Sequence, residues 1–118
     1  METSSQQNSQ SALLFEALIQ RNNAQIMALV GSNVREALIE SPSALAHVYE
    51  VLPEHLVTQA QVVAVKQMTE QPIGEITKID YAYIYPEETV LFSVVYKGHD
   101  GGSEVVGLWV DVQDSDAV

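Results

Sequence analysis

Three runs of β-branched and aromatic residues close this chain, Ile76 to Tyr85, Thr89 to Lys97 and Glu104 to Val112, and nothing else in it constrains the fold as much. The turns between them, Pro86-Glu87-Glu88 and Gly98-His99-Asp100-Gly101-Gly102, are too short for the crossover that parallel strands need. The pattern therefore predicts an antiparallel meander. In the middle run Val90, Phe92, Val94 and Tyr96 point one way and Leu91 and Val95 the other, as in a central strand covered on both faces. In the last run Val106, Leu108, Val110 and Val112 oppose Val105, Gly107 and Trp109. The even-numbered face of these two strands is the expected core side.

Helical periodicity dominates upstream. Residues 1–10 are Ser, Gln and Asn with one charge and no apolar residue after Met1, a composition that predicts a disordered arm. Ala12, Leu14, Phe15, Leu18 and Ile19 then recur at helical spacing behind a capping Ser11. Ile26, Met27, Leu29 and Val30 suit a second short helix, and Val34, Ala37 and Leu38 a third that stops at Ser41-Pro42. Leu45, Val48, Tyr49 and Leu52 form one stripe of a fourth. From Glu54 to Thr69 two periods compete. Leu56, Ala60, Val63 and Met68 fit a helix, while the text from Gln61 to Lys66 also fits a strand. The length without a turn signal before Gln71-Pro72-Ile73-Gly74 favours the helix. Helices first and sheet second define an α+β layout, with short N-terminal helices packed on one face of a C-terminal curved antiparallel sheet. Residues 11–113 form the single domain, and 114–118 an acidic tail.

The chain's 118 residues, 47% of them hydrophobic, are enough to bury one core without staples. With no cysteine there are no disulfides, no thiol catalysis and no cysteine-ligated metal. A net charge of −11 opposes both nucleic-acid tracking and adsorption to anionic lipid, since only Arg21, Arg35, Lys66, Lys78 and Lys97 are basic, and they are scattered along the sequence. No apolar run is long enough to span a bilayer. The start METSSQQNSQ lacks the features of a secretory signal, which points to a cytoplasmic protein, although an exported chain with its signal removed would read the same way.

The text PIGEITKIDYAYIYPEETVLFSVVYKG followed by EVVGLWVDV resembles the NTF2-like superfamily, also described as cystatin-like or SnoaL-type. The likeness spans roughly residues 11 to 113. It implies short helices, a helix ending near Gly74, and a curved sheet that wraps them into a cone with a pocket. It further implies frequent homodimerisation through the outer sheet face, and roles from isomerase and dehydratase to non-catalytic binding domain. The strand that pairs early in that fold is not evident here.

Asp80, Tyr81, Tyr83 and Tyr85 on one strand, with Tyr96 on the next, form the most suggestive cluster. In an isomerase-like pocket a carboxylate takes a proton while phenols hold the oxyanion. Parity separates them, because Asp80 faces away from the three tyrosines of its own strand. A tyrosine ladder on the outer sheet face reads better as packing or interface. Trp109, the one tryptophan, is assigned to core packing, with a pocket plug or interface as the other roles. His47, Glu50 and Glu54 share a face if one helix continues through Pro53, but no metal motif supports them. His99-Asp100 reads as a solvated turn, and the glycines around it precede a strand, so they make no phosphate cradle. No catalytic residue, cofactor or metal is expected.

The preferred function is a non-catalytic binding or accessory domain, homodimeric through its sheet. Apolar residues on both strand faces, Leu91, Val95, Val105 and Trp109 among them, ask for more cover than one helical layer provides. The alternatives are a small-molecule pocket with isomerase- or hydrolase-like activity using Asp80 or Glu75, taking a small apolar ligand, and an acidic inhibitor or immunity-type protein for a basic partner.

Overall fold

A computed structural model describes residues 3–56 and 60–114. Four helices, α1 (Ser5–Ile19), α2 (Asn23–Leu29), α3 (Ser32–Glu40) and α4 (Ser43–Val51), precede four strands, β1 (Ala60–Glu70), β2 (Gly74–Ile84), β3 (Glu88–Lys97) and β4 (Val105–Asp114). The strands form one curved antiparallel sheet in the order β1-β2-β3-β4, and the fold is α+β.

The first helix begins at Ser5, not after a disordered arm. Ser4 and Gln7 form a reciprocal capping box, with each side chain bonding the other's backbone N–H at 3.1 Å. Ser4 Oγ also donates to the Gly101 carbonyl at 2.8 Å and Gln7 Nε2 to that of Gly102 at 3.1 Å. The polar run is thus held by the loop between β3 and β4, a contact ninety-odd residues away that composition does not reveal.

Residues 60–70 are a strand, not the continuation of a helix. β1 pairs with β2 from Ala60↔Tyr83 to Glu70↔Gly74, and the ladder outweighs the local helical spacing. Asp114 ends β4 and so belongs to the sheet; the remaining tail positions 115–118 lie outside the described residues.

The core lies between α1–α2 and one sheet face. Leu14, Phe15, Leu18 and Ile26 meet Ile79, Val90, Phe92 and Val94, all fully enclosed. Each such side chain contributes roughly 1.5–3 kcal/mol by leaving water. A bulge between β3 and β4 changes parity near the start of β4, since Tyr96 pairs with Val105 but Val95 with Gly107. Leu108, Val110 and Val112 face the helices as expected, whereas Val105 joins that core and Val106 turns to the other face beside Ile76 and Val95.

Candidate functional site

The tyrosine cluster lies under the helices and not on the outer face. Tyr81 Oη donates to Asn8 Oδ1 at 2.9 Å, Tyr96 Oη to the Gln7 carbonyl at 2.8 Å, and Tyr85 Oη to the His55 carbonyl at 2.8 Å. Tyr83 stacks on Phe15 with centroids 3.7 Å apart and planes 7° from parallel. Burial pushes the phenols of Tyr81, Tyr83 and Tyr96 up; neighbouring Tyr81 and Tyr85 add to it at Tyr83, and the Ser11 hydroxyl works against it at Tyr96. The helix cover explains the inversion: once α1 lies on this face, the rings fill core volume, and the hydroxyls of Tyr81 and Tyr96 bond the polar first turns of α1.

Asp80 is on the opposite face, as its parity predicted. Its Oδ1 accepts from Ser93 Oγ at 2.7 Å and stands 3.7 Å from Lys78 Nζ. Acid and phenols therefore do not converge. Nor do His47 and Glu50 share a helix with Glu54, because α4 ends at Val51. Among the described residues no three His, Asp or Glu side chains are grouped to hold a metal ion.

His99 holds structure instead of ending in a solvated turn. Its Nε2 lies 3.1 Å from the Met68 carbonyl and 3.0 Å from that of Ile76, and its Nδ1 2.8 Å from Glu75 Oε2. The glycine loop is thereby pinned across β1 and β2.

The outer sheet face carries the features that the core does not explain. Trp109 is not core: it is 58% exposed there, opposite Ser93 in the β3–β4 ladder. Register places Lys66 directly across from Lys78, Val95 beside Lys78, and Lys97 across from Ile76, so all three lysines of the chain share this face. Glu70, Asp80 and Asp111 balance them on the same face. The other two cations are used elsewhere, Arg21 on the Tyr49, Leu52 and Pro53 carbonyls and Arg35 on those of Met27 and Val30. The excess of carboxylates thus lies off this face. The lysines look scattered in sequence because their convergence depends on β1 being a strand and on the registers that pair it with β2 and β2 with β3.

Met68 and Glu70 from one edge strand and Trp109 from the other line a trough of about 380 Å³, floored by Ile76 and Val95. The face is therefore concave at this end. A second hollow, of about 460 Å³, shares Glu70, Ile76, Val95 and Trp109 with it and continues around the edge of β4 to α3 and α4. No helix in the described residues is long and apolar enough to cross a membrane. No family model, curated protein or solved structure matches this chain.

Proposed function

We propose that this is a non-catalytic binding domain of the NTF2-like type that self-associates through the outer face of its sheet. The observation that carries the reading is Trp109, more than half exposed on the one face where lysines and carboxylates balance. Two copies of a −11 chain repel at most approaches, and a charge-balanced face removes that barrier locally. Ile76, Val95 and the Trp109 ring supply apolar area there, and a tryptophan in a concave patch is the usual anchor of an interface. The order of helices followed by a meander supports the NTF2-like part of the reading. The phenols' structural hydrogen bonds and their separation from Asp80 favour binding over proton transfer.

Light scattering at micromolar concentration tests it. The expected mass is twice that of the chain, falling to one chain in Trp109→Ala with circular dichroism and thermal midpoint unchanged, because an exposed ring contributes little to folding. A monomeric wild-type protein, or a Trp109→Ala variant that still dimerises, sinks the reading.

A further inference from the structure

The hollow at the β4 edge is built differently from the core. α3 buries no side chain completely, and its first turn is fastened to the sheet by Gly31 N–H donating to the Val105 carbonyl at 2.7 Å and Asn33 Nδ2 to that of Val106 at 3.0 Å. A Cβ at residue 31 would stand 2.6 Å from that Val105 oxygen, so glycine is needed for the approach. Beyond this anchor Val34 and Leu38 of α3, Leu45 and Val48 of α4, and Leu108 of β4 form apolar walls. Ala37 and Ala44 line the same space from exposed positions, and their small side chains leave it unfilled. A volume of about 460 Å³ with such walls matches the ordinary ligand-site range of ~300–1,000 Å³.

The polar lining selects the head group of a ligand. Apart from the Trp109 indole, only Asn33 and Glu70 among the described residues bring polar side chains to the hollow. The Asn33 amide nitrogen is spent on the Val106 carbonyl, which fixes the orientation of the amide and leaves its oxygen, an acceptor, for a ligand. Glu70 has no ion pair or hydrogen bond among the described residues. The neighbouring trough adds one further charge, Lys78, whose Nζ stands 3.7 Å from Asp80. Glu70 is therefore the one unmatched charge among the described residues that line either void. An ammonium, with three donors and no acceptor, suits this lining; a carboxylate, with acceptors alone, does not. The net charge of −11 attracts cations at longer range, and Trp109, which lines hollow and trough alike, offers the aromatic face that cations prefer.

We propose that this hollow binds an amphiphilic amine, an aliphatic or aryl-aliphatic ammonium. Its apolar chain lies between α3–α4 and Leu108, and its ammonium pairs with the Glu70 carboxylate beside Trp109. Occupancy covers the indole with hydrocarbon. The inference does not rest on self-association.

Titration of the full chain with octylamine at neutral pH, followed by tryptophan fluorescence, tests the site, with octanoate and 1-octanol as comparison ligands. Octylamine is expected to give a saturable blue shift, and octanoate none. Glu70→Gln should weaken octylamine about fivefold, as befits an ion pair at an exposed rim, and leave 1-octanol unaffected. Glu87→Gln, which removes the same charge from the turn between β2 and β3, should leave octylamine binding unchanged. Ala44→Phe fills the hollow from an exposed helix position and should abolish the shift with circular dichroism unchanged; Ala37→Leu serves the same purpose if it does not fold. Octanoate binding as tightly as octylamine, equal weakening by Glu87→Gln and Glu70→Gln, undiminished binding by the filled variant, or no saturable shift overturns the proposal. Light scattering on the same samples keeps the two readings apart. A monomer that binds octylamine through Glu70 removes the self-association reading and leaves this one standing, and a dimer without a saturable shift does the reverse.

Discussion

Tyr96 Oη lies 2.5 Å from Ser11 Oγ and donates its proton to the Gln7 carbonyl, so Ser11 is the donor in the bond the two hydroxyls share. Strand β3 is thereby fastened to the polar half of α1 inside the core, where both residues are almost completely enclosed.

Tyr96→Phe keeps the ring and removes the hydroxyl, leaving the Ser11 hydroxyl and the Gln7 carbonyl each without this partner. A buried polar group stripped of its partner costs about 1–3 kcal/mol, and urea denaturation should show a loss of that size. Tyr96→Phe with Ser11→Ala should recover part of it. A double variant whose losses simply add would show that the two hydroxyls are not coupled.

Alkaline pH should destabilise the fold before the core tyrosines titrate. Burial holds the Tyr83 and Tyr96 phenols well above the ordinary value of 10.0. Below that value folded and unfolded chains both carry neutral phenols and the contribution is fully present. Above it the unfolded chain loses protons that the folded chain keeps, so stability falls as pH rises. The urea midpoint should drop between about pH 9 and pH 11, and less so in Tyr83→Phe. Titration of all five tyrosines near the ordinary phenol value with the fold intact contradicts this.

Arg21 clamps two helix ends. Its guanidinium donates to the carbonyls of Ile19 at 2.7 Å, Pro53 at 2.9 Å, Tyr49 at 2.9 Å and Leu52 at 3.0 Å, with the backbone at φ 56°. An ammonium cannot reproduce that planar fork. Arg21→Lys should therefore cost about 1–3 kcal/mol despite keeping the charge. A thermal midpoint equal to wild type would refute the clamp.

The fold was legible where local pattern and tertiary role agree. Val90, Phe92, Val94 and Tyr96 alternate with Leu91 and Val95, and the structure buries the first four under the helices as that alternation demands, whereas on the other face Val95 is buried and Leu91 stays partly exposed. It was illegible at β1, where Val62, Val63 and Val65 sit among residues of helical spacing and only the ladder to β2 selects the strand. The face assignment of Tyr81, Tyr83 and Tyr85 failed for a related reason. Parity says which residues share a face, but not which face receives the helices. Trp109 follows the same logic: it was placed in the core, and it stands exposed because its face has no helix over it.

From the sequence alone came the order of helices and meander, the separation of Asp80 from the tyrosines, and the charge that makes any self-contact selective. Those properties depend on residue type and on spacing within a few positions. The tertiary structure decided that α1 begins at Ser5, that residues 60–70 are a strand, and that Lys66, Lys78, Lys97 and Trp109 share one concave face. Each of these is a pairing between segments distant in the chain, and a long-range contact leaves no periodic trace in either partner.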